Sequence, residues 1–275
     1  MRILFIGDVF GRPGRDLVRR GLPALAARYE LGAVIANVEN AASGAGITRE
    51  TGDALLECGI DVMTTGNHVW DKREALTYIG AEPRLLRPLN MAAGAPGRGV
   101  FVARVGGGRP LGVINAMGRV FMPPADNPFE AVSAAVTSLE RECRLVIVDM
   151  HAEATSEKMA MGWYLDGRVT AVIGTHTHVQ TADARVLPGG TAYITDAGMT
   201  GPHDSIIGME REQVLTRFVT GLPARMEPAS GNPRLQAVVI TADDDTGRAL
   251  GIERIDWSLE DIAEARGATD DDRSV

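Results

Sequence analysis

The chain predicts an α/β fold in which two packed, mostly mixed β-sheets are flanked by helices. Short Val- and Ile-rich runs alternate with helix-like segments through the first two-thirds of the 275 residues, the order expected of a largely parallel sheet covered by helices. Two stretches break that alternation and read as strand pairs, which implies a second sheet against the first. A further regularity joins fold to chemistry: five of the apolar runs end on a side chain able to bind a metal ion.

Those runs cover residues 3–7, 33–38, 61–66, 145–150 and 171–175. Each is short, apolar and bounded by Gly or polar residues, so each reads as a buried strand. The first ends on Asp8, the second on Glu39 and Asn40, and the third on Asn67 and His68. The fourth ends on His151, and the fifth on His176 with His178 two positions further on. The carboxyl ends of the strands form the ligand crevice of an open α/β sheet, so these groups are expected to converge.

Helices are expected over residues 13–29, 48–58, 71–79, 128–141 and 155–164. Pro13 suits a first turn, whereas Pro23 should kink or shorten the first helix. Thr48-Arg49-Glu50-Thr51 is a cap-like start for the second. Residues 98–115 read as a hairpin around Gly106-Gly107-Gly108, and 234–241 with 248–257 as a second strand pair. No repeat or linker interrupts the chain. One domain over residues 1–263 is therefore expected, with a frayed polar tail over 264–275.

Composition narrows the function. A net charge of −8 leaves no basic stripe for polymeric nucleic acid, although a nucleotide needs only a local patch or cations. Cys58 and Cys143 lie outside any C-x-x-C pattern, sparse usage that suits a reducing cytoplasm. Residues 1–6 are too short for a signal-peptide core, and no apolar stretch reaches the ~20 residues of a membrane span. A soluble, cytoplasmic protein is expected. Its oligomeric state, homo-oligomer included, stays open.

Each candidate residue has a bland reading beside the sharp one. Asp8, in Gly7-Asp8-Val9-Phe10-Gly11, could cap a turn. Glu39-Asn40 is unusual at the end of a strand, and both side chains can serve one site only if residues 41–46 let the chain turn. Asn67 could bind through its oxygen while His68 faces elsewhere. His176 and His178 should share one side of an extended segment. His203 reads as a loop residue. Carboxylate, amide and imidazole without thiolate suit Mn, Fe, Zn or Co. Seven ligands exceed one ion and would serve two, about 3.5–4 Å apart, sharing a carboxylate and a hydroxide.

At these residues the chain resembles the calcineurin-like metallophosphoesterases, and most of all their bacterial YmdB-like cyclic-nucleotide phosphodiesterases. The matching text includes Gly7-Asp8-Val9-Phe10-Gly11-Arg12-Pro13-Gly14, Asn37-Val38-Glu39-Asn40 and Thr65-Gly66-Asn67-His68. It continues from His151 through Lys158, in Gly174-Thr175-His176-Thr177-His178, and in Thr195-Asp196-Ala197-Gly198. The wider family follows its first Asp with x-His, where this chain has Phe10, and Glu39 stands where Asp or Asn is usual.

The resemblance implies a four-layer α-β-β-α metallophosphoesterase sandwich and two transition-metal ions, iron first and manganese second. One ion would be held by Asp8, Glu39, Asn40 and His178, the other by Glu39, Asn67, His151 and His176. It implies hydrolysis of a small phosphodiester such as a cyclic nucleotide, with the bridging hydroxide attacking and His68 giving a proton to the leaving oxygen. A phosphomonoesterase or nucleotidase with the same centre is the alternative, with Arg12, Arg15, Lys72 and Lys158 as candidate grips. A metal-dependent nucleotide-binding regulator is the non-enzymatic one.

Overall fold

The structure is a computed structural model that describes residues 1–271. Its first strand, β1 (Arg2–Ile6), alternates between two cores: Ile3 and Phe5 enter one, Leu4 and Ile6 the other. Then come β2 (Asp8–Val9), α1 (Gly11–Tyr29), β3 (Ala33–Asn37), α2 (Arg49–Glu57), β4 (Val62–Thr64) and α3 (Ala75–Ala81). The hairpin β5 (Val100–Val105) and β6 (Arg109–Met117) precedes α4 (Pro128–Leu139), β7 (Leu145–His151), α5 (Thr155–Tyr164) and β8 (Ala171–Thr175). The short strands β9 (Arg185–Val186), β10 (Ala192–Ile194) and β11 (Met199–Pro202) follow. Next are α6 (Arg211–Thr220), β12 (Pro233–Ala242), β13 (Ala249–Ser258) and α7 (Leu259–Asp271).

Two mixed sheets result. One has the order β2-β11-β12-β1-β3-β4 with β13 on β12, and the other the order β5-β6-β7-β8-β10-β9. β1, β3 and β4 run parallel, as do β6, β7, β8 and β10. The sheets pack through Phe5, Ile35, Val62, Val113, Ile147 and Ile173. Leu17, Leu25, Leu55 and Ile262 from α1, α2 and α7 cover the outer face of the first sheet. Val132, Val136, Leu139 and Met161 from α4 and α5 cover that of the second. This is the four-layer α-β-β-α sandwich.

Alternation also positions the site. Ile35, Val62, Ile147 and Ile173 point into the gap between the sheets, so Asn37, Thr64, Asp149 and Thr175, each two residues on, share that face. The apolar inter-sheet core thus ends in a layer of buried polar side chains.

Several expectations need correction. α1 runs through Pro23 without interruption. Pro23 and Arg19 both face solvent, so the Arg19 carbonyl that the missing N–H releases is not shut away from water. The helix expected from residue 71 begins at Ala75, because 66–72 form turns such as Val69 N–H to the Gly66 carbonyl and Asp71 N–H to that of His68. The stretch expected to fray is helical as far as Asp271, and the last four residues lie outside those described. Strands β9 to β11 are two to four residues long, too short to show a periodic pattern. By contrast, Thr48 and Thr51 form the expected capping box, each hydroxyl accepting the other's backbone N–H.

Candidate metal centre

The seven expected ligands gather beneath one cleft, which Glu39, Asn40, His176 and His178 line. Glu39 Oε1 lies 3.1 Å from His151 Nε2 and accepts from Asn40 Nδ2 at 3.4 Å. Around His151 Nε2 also stand Asn67 Oδ1 at 3.1 Å and His176 Nδ1 at 3.0 Å. On the other side, Asn40 Nδ2 lies 3.1 Å from His178 Nε2, which is 3.7 Å from Asp8 Oδ1. Glu39 therefore stands between an Asn67–His151–His176 group and an Asp8–Asn40–His178 group. His203 is not among them and bonds the Met199 carbonyl.

The two histidines of Thr175-His176-Thr177-His178 do not share one side of an extended segment. The chain bends there, with φ of +97° at His176 and +63° at His178. Side chains rarely accept such backbone, and it tends to persist at functional sites where the surroundings enforce it. Here the bend sends His176 to His151 and His178 to Asn40. Gly66 explains the start of Gly66-Asn67-His68 differently: a Cβ at that position would overlap the His151 ring.

Each imidazole is pinned from behind. His178 Nδ1 donates to the Ile207 carbonyl at 2.9 Å, and His176 Nε2 donates to Glu153 Oε2 at 3.2 Å. His151 Nδ1 lies 2.9 Å from Thr175 Oγ1, whose own proton goes to Asp149 Oδ1 at 2.6 Å. Thr175 must then accept, so His151 carries its proton on Nδ1. The nitrogens left for the cleft are His151 Nε2, His176 Nδ1 and His178 Nε2.

His151 Nε2 faces Glu39 Oε1 and Asn67 Oδ1, neither of which has a proton to offer. Asp8 Oδ1 is buried without any hydrogen-bond partner. Burial works against charge on Asp8, yet nearby His178, the charge of His151 and the His176 backbone N–H hold its carboxyl below the usual range. Burial likewise opposes charge on His151, but Glu39, Asp8 and Asp149 pull it up to about 9. Burial and the charge of His151 press His176 down to about 3. A cluster of this kind can hold a cation at its centre, and a metal ion could replace the extra proton on His151 Nε2. Among the described residues, Glu39, His151 and His176 form the one group of three acid or imidazole side chains whose ligand atoms all lie within 4.8 Å of one another. The donor set fits a transition metal.

The cleft above has a volume of about 270 Å³ and is lined by Phe10, Glu39, His68, Glu153, His178 and Met209, among others. His68 is half exposed there, its Nδ1 2.8 Å from Asp71 Oδ2. Gly44, from the segment expected to let the chain turn, reaches the cleft. The four expected phosphate grips are elsewhere. Arg12 and Arg15 line a separate cavity, Lys72 another, and Lys158 is buried against Asp196. Sequence reasoning passed over Asp149, Thr175 and Asn37 beneath the ligands. The signal was available, since Asp149 lies two residues before His151 in one strand and so shares its face.

A two-sheet sandwich that gathers acids, amides and imidazoles at its strand ends is the metallophosphoesterase fold. The chain belongs to the family of YmdB-like proteins, whose model matches residues 4–255. It is 51% identical over 255 residues to the 2′,3′-cyclic-nucleotide 2′-phosphodiesterase of Bacillus subtilis, covering 93% of this chain and 96% of that one. A crystal structure of a hypothetical protein from Thermus thermophilus superposes with a TM-score of 0.86 at 45% identity, over 94% of this chain and 99% of the other. That of a novel phosphatase from Mycoplasma pneumoniae gives 0.88 at 36% identity, over 94% and 93%.

Proposed function

We propose that this protein is a metal-dependent phosphodiesterase acting on a small phosphodiester, with a 2′,3′-cyclic nucleotide as the first substrate to test. The activity named for the Bacillus subtilis relative motivates that substrate. The observation that carries the choice of a diester is the lining of the cleft. A phosphomonoester is largely a dianion at neutral pH and calls for Arg or Lys beside the metals. Among the described residues neither type lines the cleft, which offers Phe10, Ile207 and Met209 to an organic group instead.

Asp8, Asn40 and His178 would hold one ion and Asn67, His151 and His176 the other, with Glu39 serving both. Asn40 would first turn its amide, since Nδ2 now faces His178. Two bound ions would supply a water of pKa ~7 and positive charge against the reacting phosphate; iron is the proposed metal and manganese the alternative. His68 delivers the proton to the departing oxygen. Asp71 holds His68 through Nδ1, which leaves Nε2 for the substrate. The free thiols of Cys58 and Cys143 support action in a reducing cytoplasm, and residues 1–263 are proposed to work as one domain.

The test is turnover of bis-p-nitrophenyl phosphate against p-nitrophenyl phosphate with each metal restored, followed by 2′,3′- and 3′,5′-cyclic nucleotides. A higher kcat/KM for the diester supports the reading. Faster turnover of the monoester contradicts it, and tight nucleotide binding without turnover would point to a regulator.

A further inference from the structure

We propose that Asp149 is a positioning residue that sets the metal-binding tautomer of His151 through Thr175 and holds the Glu39 backbone through Asn37. This rests on the metal reading of the cleft given above. Asp149 is a fully buried carboxylate, and among the described residues no Lys or Arg is paired with it. It accepts from three donors: Thr175 Oγ1 at 2.6 Å, Asn37 Nδ2 at 3.1 Å and Thr64 Oγ1. Thr175 belongs to the second sheet, Asn37 and Thr64 to the first. The carboxylate therefore ties the carboxyl ends of both sheets together directly beneath the candidate ligands.

The direction of these bonds decides what each ligand can do. A carboxylate can only accept, so Thr175 must give it the hydroxyl proton and must in turn accept from His151 Nδ1. His151 is left with its lone pair on Nε2, the nitrogen beside Glu39 Oε1 and Asn67 Oδ1. In the same way Asn37 spends its amide N–H on Asp149, which turns its Oδ1 to the Glu39 N–H at 3.2 Å. One buried acid thus orders a histidine from one sheet and a glutamate from the other.

Asp149→Asn would reverse the chain of bonds. Its new amide N–H could donate to Thr175, whose hydroxyl would then donate to His151 Nδ1 and move the ring proton to Nε2. That tautomer has no lone pair for a metal at Nε2. Thr175→Val removes the hydroxyl at similar size, whereas Thr175→Ser keeps it. Partners that orient metal-binding histidines are typically worth 10–100-fold in affinity.

The experiment uses the full chain titrated with zinc by calorimetry, together with ¹⁵N NMR of labelled histidine in the zinc-loaded parent. We expect the His151 proton on Nδ1, zinc affinity about 10–100-fold weaker in Asp149→Asn and Thr175→Val, and parental affinity in Thr175→Ser. A parent protein that binds no zinc would overturn the metal reading itself. Zinc-bound parent with the proton on Nε2, or parental affinity in Thr175→Val, would overturn the role of Asp149 alone. The NMR arm needs no variant to fold.

Discussion

Lys158 Nζ lies 2.8 Å from Asp196 Oδ2, and neither side chain is exposed to solvent. The same Asp196 oxygen accepts from the backbone N–H and hydroxyl of Thr177, the residue between His176 and His178. A buried ion pair between α5 and the segment after β10 therefore braces the bend that aims two imidazoles. Removing one partner leaves the other charge buried and unpaired, which typically costs about 3–5 kcal/mol. Lys158→Met should lose roughly that much in urea unfolding. A loss below about 1 kcal/mol, the scale of an exposed pair, would show that the bend does not depend on it.

His68 should separate chemistry from metal binding. It touches the cleft through a half-exposed ring and contacts Glu39 only by its backbone N–H. His68→Gln is predicted to lower turnover by about 10²–10⁴ while metal content by elemental analysis stays at the parental value. Equal loss of metal would make His68 a ligand.

Gly66→Ala tests the packing under His151. The added methyl would overlap the ring, which must then shift from Asn67 and Glu39. Metal content should fall although no ligand has been changed. Full occupancy in this variant would mean that the ring has room the structure denies it.

Metal binding should depend on pH with a definite sign. With no cation in the cluster, burial notwithstanding, the surrounding acids keep His151 protonated up to about 9. A metal must displace that proton, so apparent affinity should rise about tenfold per pH unit from roughly 6 to 8, with one proton released. Calorimetry in buffers of different ionisation enthalpy measures the release. Affinity that is flat in pH would contradict it.

Much of this arrangement was legible before folding because parallel strands carry their information at their ends. Asp8, Glu39, Asn67, His151 and His176 each follow a short apolar run, and a parallel register brings such ends to one edge. Bonds between residues far apart in sequence left less trace. Lys158 reads as a surface cation until Asp196, just past a three-residue strand, comes to meet it. Arg12 and Arg15 sit close to Asp8 in sequence, but the turn of α1 points them at another cavity. The spacing of His176 and His178 suggested a straight segment, whereas two left-handed residues bend it. Asp149 lay hidden inside an apolar run, where only its shared face with His151 marked it.

The most direct test of the account is anomalous diffraction from crystals grown with manganese. Two peaks are predicted in the cleft, one beside His151 Nε2 and the other beside His178 Nε2, with the Glu39 carboxylate between them. A cleft without strong peaks, or ions bound away from these nitrogens, would contradict it.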